Sequence, residues 1–428
     1  MAIMKQDRPK KTKILFVAIL IILLFSLGWI IHHGEMLEED ILSPYPNGRN
    51  FAFTITDDPD GNRLEDVKIV YDFLTAIGLR TTKALWVEEP TRSTGIPDLP
   101  TPRNNGDSCE SKQYLLYMYE LKRRGFELAL HTVSSGNDPR ETTLRGYETF
   151  KSWFGEYPKI NIMHSTNLEN IYWGKKVLSH PLLGRLAALL TKRANFPYAG
   201  EEPGSKYFWG DILKEKTEYV RLWGTSDINT LKFNPSMPYH DQDKPYVNYW
   251  FSFSDGKTPF QFNNLLSDKN VTKLIDERGA SIVYTHFGRG FVNKGVLDET
   301  FQKRLEKLSR QKDGWFVPAS KLLDRLLLMK KVIAKDSDGV LVVSNFNNCD
   351  VEGVTLLVHP GRVFYALSGT RLVANEEGEI ILRPLKQGEA GVLLTKDRSH
   401  FVRNQSPTSF EYLRMVMHRL FVFFSHNF

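Results

Sequence analysis

Six side chains that can move protons or bind metals stand at the ends of short apolar runs in this sequence. Two of them are adjacent aspartates, Asp57 and Asp58, which follow the run Phe51–Thr56. The other four lie at or just beyond the ends of later runs of the same kind: His131, His164, Asp227 and His286. One histidine beside an apolar strand is usually structural, but repeated placement at strand ends indicates an active site.

The types of these residues suit hydrolysis. A carboxylate and an imidazole together bind divalent metals such as zinc. A metal lowers the pKa of a bound water to about 7 and makes it a nucleophile. Because neighbouring residues of a strand point in opposite directions, Asp57 and Asp58 can take different roles, one at the metal and one as the proton acceptor. A histidine on the far side can protonate the leaving group, so the pattern predicts a hydrolytic centre for an ester or an amide.

The apolar runs that carry these residues alternate with helical patterns between residues 50 and 335. Such alternation is typical of an α/β fold with a parallel sheet, either open or closed into a barrel. In a barrel the carboxyl ends of the strands meet on one face, which would bring the six side chains together. Residues 338–396 have a different pattern, in which short apolar runs separated by turn residues predict a small all-β sandwich domain.

The composition excludes several classes of protein. The chain has 428 residues, 41% hydrophobic and 25% charged, which excludes a disordered chain, a collagen and a coiled coil. Cys109 and Cys349 are the only cysteines, so neither a disulfide framework nor a cysteine-based zinc site organises the fold. Of the net charge of +6, the first 13 residues carry +4, which leaves only +2 on the rest. That distribution argues against a nucleic-acid partner.

Residues 14–31 form an apolar run of eighteen residues without a charge. A helix of that length extends about 27 Å, close to the hydrocarbon thickness of a bilayer. A basic tail, residues 1–13, precedes the run and acidic residues follow it, which predicts a single-pass anchor with a cytoplasmic amino terminus. The catalytic part is then expected at the periplasmic or outer side of a bacterial inner membrane, with a cleaved signal peptide as the alternative. Residues 409–424 predict an amphipathic helix that lies on a membrane or packs on the domain.

Several motifs around these residues resemble the polysaccharide deacetylase family, carbohydrate esterase family four, whose shared unit is the NodB homology domain. The motifs are Thr56–Asp58, Glu127–Ser135 (ELALHTVSS), Ser281–His286 and Gly314–Val317. The resemblance covers roughly residues 50–330. It implies a deformed (β/α) barrel of about seven strands. It also implies that the substrate is a polysaccharide or other glycan of the envelope or the extracellular space, from which acetyl groups are removed.

The same resemblance gives each matching residue a role. Asp57 would be the general base and His286 the general acid. Asp58 and His131 would bind a divalent metal, with zinc as the first choice. In the family an arginine orients the base.

The sequence departs from the family pattern in two places. The second metal histidine of the family, four residues after the first, is Ser135 here. His164 is the candidate replacement, either as the missing ligand or in the orienting role of the arginine, and Asp60 and Asn137 are weaker candidates. The glycine that follows the aspartate pair in the family is replaced by Pro59–Gly61. The site is therefore a rearranged metal site, a site of altered chemistry or an inactive one.

Two other functions remain open from the sequence. An inactive carbohydrate-binding or assembly protein on the same scaffold would bind sugar without releasing acetate. A glycoside hydrolase would use two carboxylates, such as Asp57 and Asp227, and would need no metal.

Overall fold

The computed structural model describes residues 41–89, 106–165, 167–177, 196–337 and 339–395. The predicted basic tail 1–13, anchor 14–31 and amphipathic helix 409–424 all lie outside these ranges. Within the ranges, no helix has both the length and the apolar character that crossing a bilayer requires.

The centre of the chain forms a closed barrel of parallel strands, as the alternation of strands and helices predicted. Seven described strands pair in chain order, and the first also pairs with the last, so that Ala52 lies opposite Ala280 and Asp57 opposite Thr285. A two-residue strand, β1 (Leu42–Ser43), precedes the barrel. The barrel strands are β2 (Phe51–Asp57), β3 (Thr82–Leu85), β4 (Glu127–Leu130), β5 (Ile160–Asn161), β6 (Tyr219–Thr225), β7 (Tyr249–Asp255) and β8 (Ala280–Thr285).

Helices pack against these strands, the longer ones through apolar faces. In the first helix Val67, Val70, Tyr71 and Leu74 are buried, at the spacing of three and four residues that defines an amphipathic helix. The third helix ends at Gly155, whose φ of +81° is a left-handed conformation that glycine adopts most easily. The helices are α1 (Leu64–Ala76), α2 (Lys112–Arg123), α3 (Arg140–Phe154), α4 (Gly210–Lys216), α5 (Thr230–Phe233), α6 (Pro259–Leu265), α7 (Asp268–Asp276), α8 (Glu299–Ser309) and α9 (Ala319–Met329), with a 3-10 turn at Gly174–Val177.

Two short pairings complete the barrel region. β9 (Val292–Asn293) and β10 (Val296–Leu297) form an antiparallel pair, and β11 (Gly314–Phe316) pairs in parallel with the first half of β2. β11 is the segment that resembles the closing strand of the family.

The remaining strands form two antiparallel sheets. They are β12 (Val332–Ser337), β13 (Val340–Asn345), β14 (Thr355–Leu357), β15 (Val363–Ala366), β16 (Arg371–Val373), β17 (Glu379–Ile381) and β18 (Ala390–Leu394). One sheet has the order β1, β14, β17, and the other has the order β12, β13, β18, β15, β16. Leu356 of the first sheet and Leu341 of the second are buried in one apolar cluster, so the two sheets share a core. The unit begins at Val332, before the expected start at residue 338. It also includes β1, which precedes the barrel in the chain and pairs with β14.

The carboxyl ends of the barrel strands carry the residues that the sequence singles out. They are Asp57, which ends β2, and then Asp58 after β2, His131 after β4, His164 after β5, Asp227 after β6 and His286 after β8. β5 has only two residues, Ile160 and Asn161, and both pair with β6. His164 therefore lies in irregular chain beyond a very short strand.

Candidate active site

Asp60 lies at the centre of the polar cluster at the strand ends. Its carboxylate oxygens are 3.4 Å from the Nε2 atoms of His131, His164 and His286. Arg289 also donates a hydrogen bond to Asp60 Oδ1 at 2.9 Å. Burial raises the pKa of Asp60, but the three histidines lower it more, so the pKa lies well below its usual range. Asp60 is therefore a carboxylate at neutral pH.

Asp60, His131 and His164 form a group that fits a divalent metal. Their ligand atoms all lie within 4.8 Å of one another. His131 Nε2 lies 3.4 Å from Asp60 Oδ2, and His164 Nε2 lies 3.4 Å from Asp60 Oδ1. Separations of this size are compatible with ligands that each lie about 2.0–2.2 Å from one zinc ion. Both ring nitrogens of His131 are buried and lack a hydrogen-bond partner among the described residues. A buried polar atom is costly unless something binds it, so this donor set of one carboxylate and two imidazoles suits zinc or a similar ion.

Asp58 has a different partner. Arg221, from the middle of β6, donates to its two carboxylate oxygens at 2.9 and 2.6 Å. Burial raises the pKa of Asp58, but Arg221 and His131 lower it more, and the net shift is downward. Both oxygens accept hydrogen bonds from the guanidinium group, and Asp58 also belongs, with Asp60 and His286, to a group of possible metal ligands. The metal-ligand role that the sequence suggested for Asp58 therefore stays a prediction. The arrangement gives an ionised carboxylate, fixed in orientation, beside the metal-binding group.

Asp57 is enclosed on the other side of β2. Its Oδ2 lies 2.8 Å from the ammonium of Lys83 and 3.2 Å from the hydroxyl of Tyr71, and its Oδ1 accepts a hydrogen bond from the Phe287 backbone at 2.8 Å. Burial raises the pKa of Asp57, and Lys83 opposes that rise. Asp57 and Lys83 side chains are both 0% exposed. These contacts suit a structural ion pair that ties β2, β3 and the segment after β8 together. The general-base role expected of Asp57 from the sequence stays a prediction.

His286 also lies beside Asp60, with its Nε2 3.4 Å from the same Oδ2 that His131 Nε2 approaches. Its Nε2 is 3.1 Å from the Tyr284 hydroxyl, and its Nδ1 is 3.4 Å from the Lys257 carbonyl. With Asp58 and Asp60 it forms a second group whose ligand atoms lie within 4.8 Å of one another. The imidazole is therefore close enough to the aspartates to exchange a proton with a group bound between them.

Three other residues from the sequence predictions have different surroundings. The Ser135 hydroxyl is buried and lacks a partner within the described chain. Asn137 uses its amide oxygen to accept from the Leu168 backbone at 2.9 Å, and Asp227 pairs with Lys273 at 2.5 Å. The second imidazole of the metal-binding group thus comes from His164, after β5, and not from the segment after β4.

Arg221 and Lys83 are site residues that the sequence reasoning missed. Each is a charged residue inside an otherwise apolar strand, YVRLWGT in β6 and TKAL in β3. Arg221 is 7% exposed and packs over the rings of Tyr284 and Phe253. A cation within a buried strand needs a buried anion, and that requirement was the available signal.

Glu169 is a buried acid whose titration should make the stability of the protein depend on pH. Burial and the neighbouring Asp138 raise its pKa well above the usual range. The stability that Glu169 contributes is therefore complete below its unfolded pKa of about 4.3 and is lost as the pH rises towards the folded pKa.

At pH values above about 4.3, the free energy of unfolding of the Glu169→Gln variant should rise relative to that of the unchanged protein by up to about 1.4 kcal/mol per pH unit. Denaturant unfolding from acid to neutral pH measures the difference, and Glu376→Gln, at an exposed position, is the control. Parallel stability curves for Glu169→Gln and the unchanged protein would contradict the assignment.

Comparison with known proteins yields similar structures and no sequence match. No family model matches the chain, and no curated protein does. A protein assigned as a polysaccharide deacetylase from Mycobacterium smegmatis is 13% identical with a TM-score of 0.40, over 69% of this chain and 96% of that one. Puue allantoinase is 10% identical with a TM-score of 0.40, over 68% and 97%. A family 4 acetyl xylan esterase from Clostridium thermocellum, in complex with a cobalt ion, is 12% identical with a TM-score of 0.30, over 64% and 90%. At these values a function has to be argued from the side chains of the site.

Proposed function

We propose that this chain is a divergent, metal-dependent carbohydrate deacetylase, a hydrolase that removes acetyl groups from a polysaccharide. The arrangement around Asp60 carries the proposal. Two histidines complete a metal-binding group with Asp60, and the arginine-bound Asp58 and the imidazole of His286 lie beside it. Burying so many polar groups in one place costs free energy, and proteins accept that cost mainly at functional sites. This argues against the inactive scaffold that the sequence left open.

The residues divide the work of hydrolysing an acyl bond. A divalent ion, when bound, polarises the acyl oxygen and acidifies a water molecule. Asp58 accepts the proton of the attacking water on a lone pair that Arg221 leaves free, since each carboxylate oxygen has two. His286 gives a proton from Nε2 to the sugar nitrogen or oxygen as its bond to the acyl carbon breaks. The products are acetate and the free amine or hydroxyl of the sugar.

This assignment differs in two roles, the base and the carboxylate ligand, from the one that the sequence resemblance implies. Asp58 takes the place of Asp57 as the base, because in the family an arginine orients the base and Arg221 binds Asp58. Asp60 takes the place of Asp58 as the ligand, because it is the carboxylate grouped with both His131 and His164. His164 is the second imidazole ligand in this proposal and has no separate catalytic role.

The substrate class comes from the sequence resemblance, and a metal-removal experiment tests the reaction. We expect the purified protein to release acetate from acetylated polysaccharide, to lose that activity on dialysis against a strong chelator, and to regain it with zinc or cobalt. Release of acetate by chelated protein would contradict the proposal, and so would sugar binding without any acetate release. New reducing ends in place of acetate would indicate a glycoside hydrolase.

The glycoside hydrolase alternative receives less support from the two carboxylates that it needs. Asp57 is paired with the buried Lys83, and Asp227 is paired with Lys273. Each acid therefore already has its own cation.

We also propose that residues 14–31 anchor the protein in the lipid bilayer of a bacterial inner membrane, with the barrel on the periplasmic or outer side. The proposal rests on the apolar run and the basic tail in the sequence. An integral anchor predicts that detergent, and not high salt, releases the protein from membranes, whereas release by salt would contradict it.

A further inference from the structure

The side-chain amide of Asn167 contacts His164, the ligand that separates this chain from the family pattern. Asn167 Oδ1 lies 2.9 Å from His164 Nδ1. The amide nitrogen of Asn167 contacts three oxygens: Glu169 Oε1 at 2.6 Å, the Ser134 carbonyl at 3.1 Å and Thr132 Oγ1 at 3.3 Å. Asn167 is only 1% exposed, so these contacts determine how the amide is turned.

The contacts decide which end of the amide faces the histidine. The carbonyl of Ser134 can only accept a hydrogen bond, so the Asn167 atom that faces it is the amino group. The amide oxygen of Asn167 then faces His164. Because that oxygen can only accept, His164 Nδ1 must carry the hydrogen. In a neutral ring this leaves a lone pair on Nε2, which is the atom 3.4 Å from Asp60.

We infer that Asn167 is a positioning residue that holds His164 in the Nδ1–H tautomer, with the Nε2 lone pair directed into the metal-binding group. The inference rests on the proposed function, in which His164 is a ligand. Metal-binding histidines generally depend on such a partner at the other ring nitrogen. The need is greater here because His164 lies in irregular chain three residues beyond the two-residue β5, whereas His131 directly follows β4.

The inference can be tested separately from metal binding by nitrogen-15 NMR of the metal-free, full-length protein labelled at histidine. The spectra are recorded at alkaline pH, where the ring is neutral because the ordinary pKa of histidine is about 6.5. The unchanged protein should show an Nδ1–H signal for His164. Asn167→Leu, which removes the acceptor, should shift the ring towards the Nε2–H tautomer. Asn167→Asp, which retains an acceptor oxygen, should keep the Nδ1–H signal.

Zinc affinity, measured by competition with a chromophoric chelator, is the second readout. Loss of a hydrogen-bond partner of a metal ligand typically weakens metal binding about 10- to 100-fold, which is the loss expected for Asn167→Leu, with Asn167→Asp closer to the unchanged protein. Asn170→Ala is the matched control, because Asn170 donates to the backbone carbonyl of the same His164 at 2.6 Å and does not contact its ring in the described structure. Its zinc affinity should change less than that of Asn167→Leu.

The outcomes separate this inference from the proposed function. An Nε2–H signal for His164 in the unchanged protein overturns the inference, and so does an Asn167→Leu variant that binds zinc normally. If the unchanged protein shows the Nδ1–H tautomer but binds no zinc, the metal-dependent function fails while the orientation of His164 by Asn167 stands. If Asn167→Leu does not fold, the tautomer of His164 in the unchanged protein still decides the inference.

Discussion

Asp58→Asn and Asp60→Asn are expected to give opposite results in metal analysis. Asp58→Asn removes the proton acceptor and leaves Asp60, His131 and His164 in place, so the variant should keep its zinc and lose about 10²–10⁴-fold in turnover. Asp60→Asn removes the carboxylate from the metal-binding group, so that variant should lose most of its zinc and its activity together. Metal content by elemental analysis and acetate release by the same preparations measure both effects.

The roles implied by sequence resemblance predict another result for the same pair. If Asp57 were the base and Asp58 the ligand, Asp58→Asn would lose zinc and Asp57→Asn would keep zinc but lose turnover. Under the assignment from the structure, Asp57→Asn retains both zinc and most of the turnover in the fraction that folds. The three aspartate variants therefore decide between the two assignments, and equal zinc in all three would contradict both.

Lys83→Met is expected to lower the free energy of unfolding by about 3–5 kcal/mol. The substitution leaves the Asp57 carboxylate fully buried without its cation, whereas the ion pair itself lies at 2.8 Å with neither side chain exposed. Breaking one side of a buried pair is costly because the remaining charge has no solvent. Denaturant unfolding at neutral pH measures the loss.

A matched control and a double variant make this prediction specific. Lys68 and Asp72 form a pair at 2.6 Å on an exposed helix surface, with side chains 51% and 42% exposed. Lys68→Met should therefore cost no more than about 1 kcal/mol. Combining Asp57→Asn with Lys83→Met removes both charges and should recover part of the loss. A double variant as unstable as the sum of its parts would show that the two side chains do not act as a pair.

The barrel could be predicted from the sequence because each strand and helix carries its own periodic pattern. The strand ends also indicated which residues lie on one face, since parallel strands in a barrel have their carboxyl ends on the same side. Gly61 was a further signal, because it follows Asp60 as a glycine follows the second aspartate of the family motif.

The division of labour among the three aspartates could not be predicted from the local sequence, because each depends on a partner elsewhere in the fold. Asp58 and Arg221 are 163 residues apart in the chain, and Asp57 and Lys83 lie on different strands. Which aspartate becomes the base depends on which cation the barrel brings to it. A motif match within one strand carries no information about that choice.

The pairing of β1 with β14 has a consequence for any attempt to dissect this protein. Leu42 and Ser43 precede the barrel, yet they form the edge of a sheet otherwise built after it. A cut between barrel and C-terminal unit would therefore separate that sheet from one of its strands and uncover apolar residues such as Leu42, which is 4% exposed. The C-terminal unit is consequently not an independent domain that can be transferred to another protein or deleted by itself. A version of it made without the barrel would need the segment around Leu42–Ser43 supplied, as a fused or added peptide, to restore the sheet edge.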